Sequence, residues 1–212
     1  MSETTSTSAS AGRFRGLPRE AAEFFRALEQ EPCPDTMPGN DRAAYAAHVL
    51  SPLKALVSDL KVRLADVTPR LGLEARVGAS LSWPEGNESK TEDCPVRRLR
   101  IWDAARSPDA SPVLHATFHA RGIEVGLEGG ADLTVERFRE RLGHVAGVTE
   151  TVDALARDGW ILAFGDGLRT SRILPWEDWI DEPGFLDELI DHFRQLLPLF
   201  DAIRRPQSAP AE

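Results

Sequence analysis

The sequence predicts an α+β fold: an antiparallel or mixed sheet with a central hairpin at about residues 113–128, covered by N- and C-terminal helices. Two observations lead to this prediction. Apolar and polar residues alternate through 113–128, as they do in strands with one buried face. Near both chain ends, apolar residues recur at three- and four-residue steps, as they do in amphipathic helices. With strand patterns lying between helical ones, we expect helices to cover one face of the sheet.

The hairpin pattern predicts a strand register as well as two faces. A two-residue loop at 121–122 contains Gly, which supplies the positive φ of a tight turn. Counting outward from this loop places His119 opposite Glu124 and His115 opposite Glu128 on the polar face. The predicted core face carries Leu114, Ala116, Phe118, Ala120, Ile123, Val125 and Leu127.

Length and composition set limits on the architecture. The chain has 212 residues, 42% of them hydrophobic, which is enough for the core of one domain. We expect a single α+β domain at 13–204. Residues 1–12 and 205–212 lack the apolar content that offsets the entropy of ordering, so we expect two disordered tails.

Charge and hydropathy argue against several function classes. The net charge of −9 and the pI near 5.1 disfavour broad binding to nucleic acid or to anionic lipid. No apolar run approaches the ~18 residues of a membrane span, and the N-terminus lacks a signal-peptide pattern, so we expect a cytoplasmic protein. Cys33 and Cys94 lie in no CxxC or His-rich motif, so free thiols and no metal or cofactor are expected.

The N-terminal part contains two helical patterns. The first spans about 18–30 and begins with a proline at its first position. An irregular connector follows, and a longer pattern runs from Asp41 to about Val67. Pro52 interrupts it, so either the helix kinks there or a new helix begins with Ser51 as its N-cap.

The remaining elements follow in chain order. We predict strands at 73–83, 96–103 and 160–164, and helices at 132–142 and 149–159. The segment ILPWEDW is expected to be an extended link whose Trp176 and Trp179 pack on the core or form an interface. A C-terminal helix begins at Pro183, and Pro198 is expected to bend or restart it.

The polar face of the hairpin is the strongest candidate for a functional surface. A His beside a carboxylate can act as a general base, and guanidinium groups from the neighbouring strand and loop can hold a phosphate or a carboxylate. No catalytic residue is assigned. The candidate binding residues are Arg98, Arg100, Arg106, His115, His119, Glu124 and Glu128.

Three interpretations of this surface remain open. Opposite charges paired across strands are common on solvated sheet faces, and this is the interpretation that the sequence favours. A binding groove is the second interpretation. A catalytic or metal site is the third, although side chains four residues apart along one strand are roughly 13 Å apart, too far to share one metal ion.

The order of motifs resembles a bacterial family, the domain-of-unknown-function family 2461. The first motif, F-x-G-[FL]-P-x-E-A, matches Phe14, Gly16, Leu17, Pro18, Glu20 and Ala21. The second, N-[DR]-R-x-[WY]-F, is similar to Asn40, Asp41, Arg42 and the helix with Tyr45, Pro52 and Leu53. The third, RD-x-RFS-x-DK-x-PYK, is matched with irregular spacing by Arg100, Asp103, Arg106, Ser107, Asp109, Ser111 and Pro112. The C-terminal helix is also expected to end in a Pro198-Leu199 pair, which resembles the family. The resemblance implies an α+β domain and no known activity, and Ala110 and Val113 replace the family's Lys and Tyr.

From these observations we expect a cytoplasmic bacterial protein without catalytic activity of its own. It would act as an interaction or ligand-binding module, with another protein or a small anionic ligand as its partner. The first alternative is a hydrolase-type enzyme that uses a His-carboxylate pair of the hairpin. The second is a nucleic-acid accessory factor that uses the arginine-rich strand, although nucleic acid is not the expected partner of so acidic a chain.

Overall fold

The computed structural model combines helices with an antiparallel sheet, so the predicted α+β class is confirmed. It describes residues 13–30, 43–68, 71–72, 81–82, 98–103, 105–106, 111–129, 138, 148–164, 168–176 and 182–204. The predicted tails 1–12 and 205–212 lie outside these ranges, as do Cys33 and Cys94. Within the described ranges, no helix is long and apolar enough to cross a membrane.

The elements have the following bounds in chain order. The α-helices are α1 Arg19–Gln30, α2 Ser51–Val67, α3 Val148–Arg157 and α4 Gly184–Arg204. A π-helix at Ala46–Leu50 leads into α2. The strands are β1 Leu71–Gly72, β2 Leu81–Ser82, β3 Arg98–Asp103, β4 Val113–His119, β5 Gly122–Glu128, β6 Ile161–Phe164 and β7 Leu168–Pro175.

Every strand pairing among the described residues is antiparallel. The sheet order is β1-β3-β4-β5-β7-β6, with β2 also paired to β3, so the predicted hairpin β4–β5 is central. β1 and β2 pair with the two ends of β3, with Leu71 opposite Asp103 and Leu81 opposite Leu99. They lie near the two ends of the strand predicted at 73–83, whose residues 73–80 are outside the described ranges.

The hairpin register differs from the predicted one by two residues. His119 pairs with Gly122, and the two-residue turn consists of Ala120 and Arg121. The prediction assigned Gly122 to the loop because a tight turn favours positive φ. Gly122 does have φ +152°, but it lies in β5, where a Cβ would overlap the carbonyl of Leu174 on β7. A shift of two residues keeps every side chain on its predicted face, because the strand period is two.

The core lies between one face of the sheet and helices α1, α2 and α4. The ring of Phe25 on α1 stacks on Phe118 at 5.5 Å and on Trp176 at 6.0 Å, so Trp176 packs on the core. Trp179 is outside the described residues. The buried residues that face the helices from β3, β4 and β5 are Leu99, Ile101, Leu114, Ala116, Phe118, Ile123, Val125 and Leu127.

Strand β7 was not predicted. Its last three residues are the ILP of the segment predicted as an extended link, and its first five are LRTSR. Thr170 and Arg172 lie on the same side of β7 as Leu168 and Leu174, so apolar residues do not alternate with polar ones along it. Hydrophobic periodicity is the main sequence signal for a strand. Because β7 lacks this periodicity, the sequence pattern did not indicate a strand there. β7 pairs with every residue of β5, so β5 is not an edge strand of the sheet.

Pro52 is accommodated in a third way, different from both predicted alternatives. The chain stays in right-handed helical conformation from Tyr45 through Ser51, so no new helix begins with Ser51 as N-cap. The Ser51 N–H donates to the carbonyl of Ala46, five residues back. This wider π-helical turn lies where a proline ring would clash with the preceding turn of a regular α-helix.

The C-terminal half otherwise follows the predicted pattern. α3 and β6 lie where a helix and a strand were predicted, and Gly159 has φ +82° just after α3, as expected of a helix-terminating glycine. α4 continues through Pro198 to Arg204 and does not restart there. Of the helix predicted at 132–142, only Phe138 is described, and it is helical and buried.

Candidate functional site

The face of the sheet opposite the helices carries the predicted functional residues. We call it the polar face and define it by its charged and hydrogen-bonding side chains on β3, β4, β5 and β7. These are Arg98, Arg100, His115, Thr117, His119, Glu124, Glu128, Arg169 and Ser171. Alternation along each strand places them on one side, because the other side of the same strands is the apolar core.

Glu124 is the best satisfied charge on the polar face. Its Oε2 lies 3.2 Å from Nε2 of His119, and its Oε1 lies 3.1 Å from Nη2 of Arg169. The hydrogen bond from His119 lowers the pKa of Glu124 to about 2; burial opposes this change, while Ser171 and Arg169 reinforce it. Glu124 therefore stays ionised at any pH near neutrality. With the observed register this His/Glu contact is diagonal, since His119 lies directly opposite Gly122.

Arg98 reaches across the central strand to the second carboxylate. Its Nη2 lies 2.5 Å from Oε2 of Glu128, although β4 separates the two strands from which these side chains project. The side chains of Arg98 and Glu128 are only 7% and 27% exposed. The distance is that of an ion pair, but its angles are not those of a hydrogen bond, so Nη2 has no hydrogen-bond partner. Arg169 is also near Glu128, at 3.8 Å.

His115 lies on β4 between these charges and has no solvent exposure. Its Nδ1 is 3.3 Å from the hydroxyl of Thr117, and its Nε2 is 3.8 Å from Oε1 of Glu128. Burial lowers the pKa of His115 to about 3, and the positive charge of Arg98 acts in the same direction. The imidazole is therefore neutral at physiological pH.

Several buried donors at this end of the polar face have no hydrogen-bond partner among the residues that the structure describes. Arg98 Nε, Arg100 Nε and His115 Nε2 are all inaccessible to solvent and unpaired. Arg98 is six per cent exposed, and Arg100 lies directly opposite His115 across the β3–β4 pair. Buried polar groups are normally paired, since an unsatisfied one costs about 1–3 kcal/mol. The part of the polar face that carries Arg98, Arg100 and His115 is therefore not a freely solvated sheet surface.

The structure separates Arg106 from the other candidate residues. Arg106 follows β3 in an exposed turn, where its N–H donates to the carbonyl of Asp103. Asp103 is buried and paired with Arg204 of α4 at 2.5 Å. Its pKa is lowered: burial acts to raise it, but the hydrogen bond from Arg204 and the N–H of Ala105 outweigh burial. This ion pair connects the sheet to the end of α4.

Four polar-face features were absent from the candidate residues. Arg169 and Ser171 belong to β7, for which the sequence carried no strand signal. Thr117 lies two residues from His115 on β4, and its hydroxyl is 3.3 Å from Nδ1 of that histidine. Gly126 lies opposite His115, and a Cβ at Gly126 would be 2.6 Å from Nε2 of that histidine. The closeness of this imidazole to the strand therefore requires a residue without a side chain.

The polar face divides into two chemically different ends. The His119 end holds a carboxylate that is fully engaged by its neighbours. At the Arg98 end, Glu128 is held at ion-pair distance, and Nε of Arg98, Nε of Arg100 and Nε2 of His115 have no hydrogen-bond partner among the described residues. Within the ranges that the structure describes, no three His, Cys, Asp or Glu side chains converge as a metal site. The arrangement of donors at the Arg98 end is suited to accepting negative charge.

Comparison with known proteins adds no assignment to this geometry. No family model, no curated protein and no solved structure matches the chain. What can be inferred about function depends on the residues of the polar face.

Proposed function

We propose that this chain is a cytoplasmic bacterial ligand-binding or interaction module, without catalytic activity, that binds its partner on the polar face. We also propose, from the motifs at residues 14–21 and 100–112, that it is a divergent member of the family of unknown function 2461. The observation that carries the binding function is the set of buried, unpartnered nitrogens of Arg98, Arg100 and His115. A bound partner with acceptor atoms would satisfy them.

The protonation behaviour of the face supports binding rather than acid–base catalysis. A general acid or base is most effective when its pKa lies near the working pH. The pKa of His115 is lowered to about 3 by burial, and that of Glu124 to about 2, first by its hydrogen bond from His119. Neither group exchanges a proton near neutral pH.

One observation favours an enzyme as the alternative. His119 Nε2 lies 3.2 Å from Glu124, and the His119 side chain is 39% exposed. A carboxylate that orients a reachable imidazole is the arrangement of a hydrolase-type base. However, Glu124 is also engaged by Arg169 and Ser171, which is the pattern of a structural ion-pair network.

A ligand panel with matched variants tests the proposal. The purified chain would be screened by thermal shift against nucleotides, small anions, divalent metals and short nucleic acids. Arg100→Gln and His119→Gln probe the two ends of the polar face, and Arg194→Gln on the exposed side of α4 is the control. A ligand present at a hundred times its Kd adds about 2.7 kcal/mol of stability. We expect at least one class to stabilise the wild type and the control more than a polar-face variant.

Two outcomes contradict the proposal in different ways. If all stabilising ligands act equally on wild type and polar-face variants, the binding surface lies elsewhere. A screen of chromogenic esters supplies the second test. Turnover that is lost in His119→Gln and kept in Arg194→Gln would favour the hydrolase alternative.

A further inference from the structure

We propose that the Arg98 end of the polar face, formed by Arg98, Arg100 and His115, is a binding site for one small oxyanion, a carboxylate or a phosphate. This inference rests on the proposed function and names the chemical class of its ligand. It excludes the His119 end of the same face as the place where the anion binds.

The backbone register brings the three side chains within the span of a small ligand. Arg98 and Arg100 are two residues apart on β3, so their side chains leave the same face roughly 6.6 Å apart. His115 is the direct partner of Arg100 on β4, at the roughly 5 Å spacing of paired antiparallel residues. Three donor-bearing side chains from two adjacent strands therefore leave neighbouring positions on the same face of the sheet.

These side chains have N–H groups that make no hydrogen bond within the described residues. A guanidinium has five N–H donors in a planar fork and no acceptor. Arg98 contacts Glu128 through Nη2, while its Nε is buried and has no hydrogen-bond partner within the described part of the chain. The Nε of Arg100 is likewise buried and unpaired. Oxyanions match this geometry because two of their oxygens can accept parallel N–H bonds from one guanidinium.

The neutral imidazole contributes a donor in place of a third charge. When the Thr117 hydroxyl donates to Nδ1 of His115, the imidazole carries its proton on Nε2. That Nε2 lies 3.8 Å from Glu128, which is beyond hydrogen-bond distance. Nε2 is therefore a donor without a hydrogen-bond partner among the described residues, and an anion oxygen could accept its proton.

The charge count on the face agrees with an anionic ligand. Among the described residues of the face, Arg98, Arg100 and Arg169 are cationic, Glu124 and Glu128 are the two carboxylates, and His115 is neutral. A singly charged anion would balance the excess. This local surplus contrasts with the net charge of −9 of the chain. The His119 end has no such surplus, since Arg169 and His119 already neutralise and hydrogen-bond Glu124.

Binding of simple anions tests the inference directly. Sodium phosphate and sodium acetate would be titrated into the full chain by calorimetry and thermal shift, with sodium chloride at equal ionic strength as reference. We expect phosphate or acetate to bind saturably and to raise Tm above the chloride reference. Arg100→Gln is expected to weaken the apparent affinity about tenfold or more, the loss of one charge-assisted hydrogen bond. Arg106→Gln, in the exposed turn after β3, is expected to stay within about twofold.

A second variant keeps the test valid if Arg100→Gln does not fold. Arg100→Lys retains the charge but loses the planar fork, and its circular dichroism spectrum checks that the fold is intact. It is expected to bind more weakly than the wild type. Equal effects of phosphate, acetate and chloride, or unchanged affinity in both Arg100 variants, would overturn the inference. If another ligand class still binds through the polar face, only the oxyanion inference fails; if no class does, the proposed function fails with it.

Discussion

His115 and Gly126 are direct partners across β4 and β5, and the imidazole of His115 occupies the space where a side chain on residue 126 would lie. The histidine is thereby held against the sheet without solvent exposure. Burial in turn keeps it neutral, with a pKa lowered to about 3. The absence of a side chain at Gly126 therefore leaves space for the imidazole, and the burial of that imidazole lowers its pKa.

Gly126→Ala is expected to lower the free energy of unfolding by about 1–3 kcal/mol, the usual cost of overpacking a close-packed region. The new Cβ would lie 2.6 Å from Nε2 of His115 and 2.5 Å from the carbonyl oxygen of Thr170. Because the second contact is with backbone, moving the imidazole alone does not relieve it. Urea unfolding followed by circular dichroism measures the change. Gly184→Ala, where no atom of the described residues lies within 4 Å of the new Cβ, should lose no more than about 0.5 kcal/mol.

The neutral state of His115 predicts a pH dependence of stability. The folded pKa is about 3 and the ordinary value is 6.5. As the pH falls from 6.5, the unfolded chain takes up a proton that the folded chain does not, so the free energy of unfolding decreases by about 1.4 kcal/mol per pH unit. His115→Gln should remove this contribution between pH 6.5 and 4.5. Urea unfolding at pH 7, 6 and 5 compares the slopes; equal slopes would mean that the pKa of His115 is the same in the folded and unfolded chain.

His192 and Glu124 also contribute to the dependence of stability on pH. The pKa of His192 is also lowered, mainly by burial and by Arg172, so part of the slope remains in the His115→Gln variant. Glu124 has its ordinary pKa of 4.5 lowered to about 2. Its ionised form stabilises the fold above about pH 4.5, and this stabilisation is lost as the pH falls towards 2. Measurements above pH 4.5 therefore isolate the histidines.

Arg204→Met is expected to destabilise the protein by about 1–3 kcal/mol at pH 7, because it leaves the buried carboxylate of Asp103 without its cation. The pKa of Asp103 is lowered in the fold, so the ion pair contributes fully above the ordinary value of 3.8. The difference between wild type and variant should shrink as the pH falls below that value. Arg194→Met removes an exposed ion pair with Asp191 and should cost less than about 0.5 kcal/mol. If both substitutions lowered the free energy of unfolding equally, burial would not be what makes the Asp103–Arg204 ion pair stabilising.

Trp176→Phe is expected to cost about 1 kcal/mol, the net value of a typical hydrogen bond. The indole Nε1 donates to the carbonyl of His119 at 2.6 Å, whereas the stacking on Phe25 can be kept by a phenyl ring. Trp176→Ala removes both contributions and should cost more, about 2–4 kcal/mol. Chemical unfolding of the two variants separates the hydrogen bond from the packing. Equal costs would show that ring packing contributes nothing measurable.

Sequence patterns predicted the elements that bury one apolar face and carry polar residues on the other. α1, α4 and both hairpin strands fall into this class, and each shows the period expected of its structure. β7 does not, because Thr170 and Arg172 occupy positions on its core side. With β7 unseen, Arg169 and Ser171 could not be placed on the polar face. The π-helical turn before Pro52 was similarly beyond prediction, since its hydrogen bonding is a response to one proline in an otherwise helical segment.

The sequence by itself determined the α+β class and the side of the hairpin on which each residue lies, because a strand period of two survives a register shift of two. It also brought the two His/Glu pairs onto one face. Only the tertiary structure decided that the members of each pair lie diagonally across the strands. In the observed register Gly122 is in β5, packed against Leu174, and is not in the turn where turn propensity placed it. Likewise, only the tertiary structure decided that His119 and Glu124 are hydrogen-bonded to each other, while buried nitrogens of Arg98, Arg100 and His115 have no hydrogen-bond partner among the described residues. Burial and partner geometry arise from contacts between strands that are distant in sequence, and the sequence pattern of one strand does not contain them.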